Sequence, residues 1–93
     1  MVWEATIKAN PRPTITWTCD GKDVTLDDRF VAEEDYKKKK YRLKISNIKA
    51  ADAGTFKLIA VNEMGESSEE AKLKTYGMNY FIKYYLEEII VIL

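Results

Sequence analysis

Apolar and polar residues alternate singly over several short stretches, the period of a strand with one face buried and the other in water. Trp3, Ala5 and Ile7 alternate with Glu4, Thr6 and Lys8. Two prolines in Asn10-Pro11-Arg12-Pro13 then stop the ladder, because neither can donate a backbone N–H. Ile15 and Trp17 alternate with Thr14, Thr16 and Thr18, and Asp20-Gly21 supplies strong turn chemistry. Val24 to Val31 is mixed, with Asp27-Asp28-Arg29 expected in a short edge segment. Alternation returns with Leu43 and Ile45 against Arg42 and Lys44, and the chain leaves that strand through a turn around Ser46-Asn47. After a corner at Asp52-Ala53-Gly54, the residues Phe56, Leu58 and Ala60 alternate with Thr55, Lys57 and Ile59. Asn62-Glu63-Met64-Gly65 reads as a hairpin connection into a last strand from Ser67 to about Tyr76, with Ala71 and Leu73 inward. Short strands at about 8–12 residue spacing predict an all-β sandwich.

The pattern breaks after Gly77. Residues 78–93 contain no Gly, Pro, Ser, Thr, Ala, Asp or Arg. Lys83 and Glu87 stand at helical i,i+4 spacing and Tyr80 and Tyr84 form a potential stripe, whereas the Tyr, Phe, Ile and Val content favours a strand. The chain thus divides into a domain over 2–76 and an apolar tail over 77–93. Three readings of the tail stand side by side: Tyr80-Phe81-Ile82 adding back along the last strand, a helix packed on the sandwich, or non-native sequence of the kind AT-rich codons encode.

Composition narrows the function. The 93 residues leave room for one small domain, and 15 Lys+Arg against 15 Asp+Glu produce no global field. There is no histidine, which removes Ser-His and Cys-His catalytic pairs and imidazole metal sites. A single cysteine, Cys19, forms no intramolecular disulfide and no Cys-rich zinc site. The N-terminus lacks the basic and apolar regions of a secretory signal, and no Asn-x-Ser/Thr sequon occurs. The longest uncharged apolar run, Ile89 to Leu93, is far below the roughly 20 residues of a membrane helix.

Ordered along the chain, Asn10-Pro11-Arg12-Pro13, Ile15-Thr16-Trp17, Asp20-Gly21-Lys22, Arg29-Phe30, Tyr41-Arg42-Leu43-Lys44-Ile45, Asp52-Ala53-Gly54-Thr55-Phe56 and Ala60-Val61-Asn62 with Gly65 form a recognisable series. It resembles an intermediate-set immunoglobulin domain, most closely those of giant muscle proteins of the titin, twitchin and obscurin type. The resemblance implies a Greek-key sandwich with Trp17 at its centre and Leu43 in its core. It also implies an Arg29–Asp52 ion pair closing one end, and at Gly54 a corner needing positive φ.

Three departures from the family pattern follow. Its inter-sheet disulfide positions are Ala5 and Leu58 here, and a bond useful only outside the reducing cytosol is thereby missing. The corner tyrosine is replaced by Phe56, which has no hydroxyl to bond the backbone. The second strand of the family pattern begins at residue 2, so the opening A and A′ strands are lacking and the last strand is left as an open edge.

The remaining candidate chemistry is sparse. Cys19 has no histidine to activate it. Asp20, Asp23, Asp27 and Asp28 do not match a calcium loop and suit turns instead. Lys37, Lys38, Lys39 and Lys40 form a candidate docking run for an acidic partner, set against a solvated loop and outward strand face; no interleaved aromatics suit it to nucleic acid. The resulting expectation is a non-catalytic structural and protein-interaction module of an intracellular muscle-type protein, without cofactor, metal or membrane, and sarcomeric in location. Its partners would be cytoskeletal proteins or neighbouring domains, with edge-strand dimerisation as a further option. The alternative is an extracellular or cell-surface adhesion domain.

Overall fold

The computed structural model describes residues 2–73 and 89–92. Eight strands are present in these residues: β1 Val2–Lys8, β2 Thr14–Cys19, β3 Lys22–Asp23, β4 Phe30–Asp35, β5 Lys40–Ile45, β6 Gly54–Asn62, β7 Gly65–Leu73 and β8 Ile89–Ile92. They form two four-stranded sheets, ordered β4-β5-β1-β8 and β3-β2-β6-β7. The buried positions of β1, β2, β5, β6 and β7 meet between them. Trp3, Ala5 and Ile7 of β1 and Tyr41, Leu43 and Ile45 of β5 are buried against Trp17, Phe56, Leu58, Ala60 and Leu73. Trp3 packs edge-on to Phe56 at 4.7 Å between ring centres and lies 6.5 Å from Trp17. The fold is an immunoglobulin-like sandwich.

Local chemistry sets the connections. Asp20 (φ 50) and Gly21 (φ 84) form a two-residue turn that places Cys19 opposite Lys22, the left-handed pair that a tight hairpin demands. Asn62 caps the β6–β7 connection by accepting from Met64 N at 2.9 Å, and its amide donates to Pro11 O across the end of the sandwich.

The structure differs from the sequence reading at four places. Val24–Leu26 is a single 3-10 turn capped by Asp23, and no strand includes Asp27 to Arg29. The acidic stretch after Phe30 is a full strand, because β4 pairs residue by residue with β5 from Phe30↔Ile45 to Asp35↔Lys40. The β7 strand begins at Gly65 rather than Ser67. The fourth difference is at the sheet edge next to β1, where an opening strand was expected to be missing. β8 lies there, parallel to β1, in register from Ala5↔Ile89 to Lys8↔Ile92. It therefore joins the sheet opposite β7, and β7 remains an edge among the described residues. Tyr80-Phe81-Ile82 and the Lys83–Glu87 spacing lie outside the described residues.

Gly54 is also explained differently from the expectation of a positive φ. Among the described residues the glycines with positive φ are Gly21 and Gly65, whereas Gly54 opens β6 in ordinary backbone. What it provides is closeness: a Cβ there would stand 2.6 Å from Asp20 Oδ2 and 2.9 Å from Cys19 Sγ. That carboxylate is not free to withdraw, because its other oxygen accepts from Thr55 N at 3.0 Å. Gly54→Ala is expected to cost about 1–3 kcal/mol, as overpacking does. A urea midpoint equal to that of the unaltered chain would show that the contact gives way freely.

Candidate functional site

The described surface carries two charged assemblies and several clefts, one of which borders the first assembly. The first assembly is centred on Arg29, just before β4. Its Nη1 and Nη2 each lie 2.8 Å from an oxygen of Asp52, a bidentate pair, and Nη1 also donates to Asn47 O at 2.8 Å. Asp27 holds the other side of the guanidinium and accepts from Arg29 N. Asp52 additionally accepts from Lys49 N at 2.7 Å. Side-chain exposure of 18% for Arg29 and 9% for Asp52 makes this an enclosed pair, unlike the open Arg12–Glu34 contact. Arg29 holds the carboxyls of Asp52 and Asp27 below the usual carboxylate range and is itself pushed upward by them. This geometry joins the 46–52 connection to the start of β4.

The same carboxylates give a pH prediction. Glu4, held by Arg42, and Asp23, held by the Thr25 hydroxyl and N–H, are depressed along with Asp27 and Asp52. A depressed folded-state pKa contributes stability above the unfolded value and loses it as pH falls through the folded one. The thermal midpoint is therefore expected to be level from about pH 8 to 5.5, since no histidine titrates there, and to fall below about pH 4.5. A midpoint unchanged down to pH 3 would contradict it.

The second assembly is the lysine run, which the β4–β5 hairpin divides. Lys40 lies in β5 with its ammonium 2.7 Å from Thr6 Oγ1 and 3.6 Å from Glu4. It belongs with Arg42 and Lys44, cations on the outer sheet face that reach Glu4 and Glu33. Lys37, Lys38 and Lys39 occupy the turn itself and are exposed. Sequence reasoning placed these four lysines together; missing was the cross-strand row Glu33–Arg42–Glu4, which only the register reveals.

The cleft, of about 330 Å³, runs below the Arg29 assembly and is lined by Cys19, Val24, Phe30 and Phe56 among others. Cys19 borders it with its thiol pushed upward by burial and by Asp20 and Asp52, so the protonated, unreactive form is favoured. The Asp cluster separates into turn contacts: Asp20 on Thr55, Asp23 on Thr25 and Asp27 on Arg29. Among the described residues no group of His, Cys, Asp and Glu is placed to hold a metal, and no helix is long and apolar enough to cross a membrane.

Ala5 and Leu58 lie in β1 and β6, in opposite sheets, 0% and 2% exposed. Leu58 is level with Trp17 across the β2–β6 pair. The core that the two sheets enclose thus has aliphatic side chains at these two positions.

The immunoglobulin I-set domain family model matches residues 2–75. The chain is 34% identical over 74 residues to muscle M-line assembly protein unc-89 of Caenorhabditis elegans, covering 78% of the chain and 1% of that protein. It is 35% identical over 80 residues to cell adhesion molecule Dscam1 of Drosophila melanogaster, covering 76% of the chain and 4% of that protein. It thus spans only a small fraction of either relative. Among solved structures, the titin M3 domain superposes with a TM-score of 0.65 at 22% identity, covering 80% of this chain and 93% of that one.

Proposed function

Since the chain belongs to the immunoglobulin I-set family, we propose that it is a non-catalytic spacing and protein-docking module of an intracellular, muscle-type multidomain protein. The observation that carries this reading is the buried aliphatic pair Ala5 and Leu58. The family resemblance puts a cross-sheet disulfide at those positions, and a secreted domain of this size rarely gives up such a bond. The similarity to unc-89 and to a titin homolog of Caenorhabditis elegans supports the same setting. The chain has no histidine, and burial favours the protonated form of Cys19, so neither supplies an activated nucleophile among the described residues.

Identity of 35% to Dscam1 favours a second reading, an adhesion domain outside the cell. The two separate cleanly by position. Tagging the endogenous protein and staining muscle is expected to give sarcomeric striations that require permeabilised tissue. Labelling of intact, unpermeabilised cells would overturn the first reading in favour of the second.

A further inference from the structure

Most basic positions around the hairpin tip at Lys37, Lys38 and Lys39 are paired, the exposed Lys8 of β1 excepted. Arg42 and Lys44 reach carboxylates at 2.6 and 2.9 Å, Lys40 reaches Glu4 at 3.6 Å, and Arg12 reaches Glu34 at 3.2 Å. The three tip lysines are exposed and make no ion pair among the described residues.

The turn is nevertheless held by three bonds to the lysine backbone and one from the adjoining Tyr36. Lys39 N donates to Tyr36 O at 3.1 Å, Lys38 N to Asp35 Oδ1 at 3.0 Å, Ile7 N to Lys39 O at 2.9 Å, and the Tyr36 hydroxyl to Ala9 O at 3.0 Å. Lys39 also has φ 61, the left-handed region where glycine or asparagine is the less strained choice. A lysine stands there although the turn itself would fold better without one. Three like charges on a fixed apex form a preorganised anion contact.

We propose that Lys37, Lys38 and Lys39 are a docking site for an acidic stretch of a partner polypeptide, a run of consecutive Asp or Glu side chains. This deepens the reading of the chain as an interaction module and rests on it. A flat anionic lipid surface is the poorer fit. The large exposed apolar side chains of the described residues are Val2, Leu26, Val31, Val61 and Met64, so the tip itself offers none for insertion. A narrow row of carboxylates meets the lysines alone.

The test uses the full chain and a fluorescent oligoglutamate peptide, read by anisotropy. Binding is expected to weaken as salt rises, and the triple variant Lys37→Gln/Lys38→Gln/Lys39→Gln to lose about tenfold in affinity. Lys22→Gln/Lys57→Gln/Lys72→Gln, which removes the same charge elsewhere, is expected to change it less than about twofold. Lys39→Gly separates docking from folding: its thermal midpoint should rise while peptide affinity falls. Absence of peptide binding, an equal loss in both triple variants, or tighter binding to phosphatidylserine vesicles than to the peptide would overturn the proposal. The striation experiment does not depend on the tip, so either result there stands whatever the peptide does.

Discussion

Replacing Trp17 by alanine should remove most of this chain's folding stability at room temperature. The indole is 3% exposed, lies level with Leu58 across the sheet, and stands in a ring assembly with Trp3 and Phe56 at the centre of the sandwich. Truncating a buried aromatic removes its transfer free energy and leaves a cavity that two hydrogen-bonded sheets cannot close, a loss of about 3–5 kcal/mol. Domains this small are typically stable by about 5–15 kcal/mol, with short chains toward the low end. Urea unfolding followed through the remaining Trp3 should show the midpoint collapse, and Trp17→Phe should recover part of it. A loss below about 1 kcal/mol for the alanine variant would mean the neighbouring side chains refill the space.

The second large effect is expected at Asp52. Its carboxylate serves both guanidinium nitrogens of Arg29 and the N–H of Lys49. Asp52→Ala abolishes all three bonds and leaves the guanidinium with Asp27, which is 43% exposed, and with Asn47 O. A loss of about 2 kcal/mol is expected, below the range for fully buried pairs because water still reaches this end of the sandwich. Asp52→Asn, which can still accept from Lys49, should lose less. The decisive measurement is a double-mutant cycle with Arg29→Met. Additive effects would mean that the pair is not coupled, whatever its geometry.

How far these features could be read in advance depended on whether a strand has one wet face. In β1, β5 and β6 every second side chain is buried and its neighbour, Thr6 excepted, is at least partly open to solvent, so alternation located them. Strand β4 defeated that logic. Only Phe30 is buried, and Val31 to Glu34 are all exposed at the sheet edge, so nothing in Phe-Val-Ala-Glu-Glu-Asp alternates. Its signal was the opposition of Glu33 to Arg42, which needs a register before it can be seen. The Arg29–Asp52 pair was visible only through family resemblance, since 23 residues separate the partners. Gly54 showed that a residue can be identified correctly for the wrong reason: the limit is the approach of Asp20 and Cys19, a tertiary contact that no local pattern encodes. For the tail, an apolar composition favours burial but does not select an edge or a direction.

That direction has a mechanical consequence. Because β8 runs parallel to β1, the seam opens at Ala5 opposite Ile89, with Val2 three residues before it on β1, and closes at Lys8 opposite Ile92. Tension applied between Val2 and Ile92 pulls the strands past each other along their length. The hydrogen bonds of the seam then carry the load together in shear, rather than opening one after another as they would in a zipper.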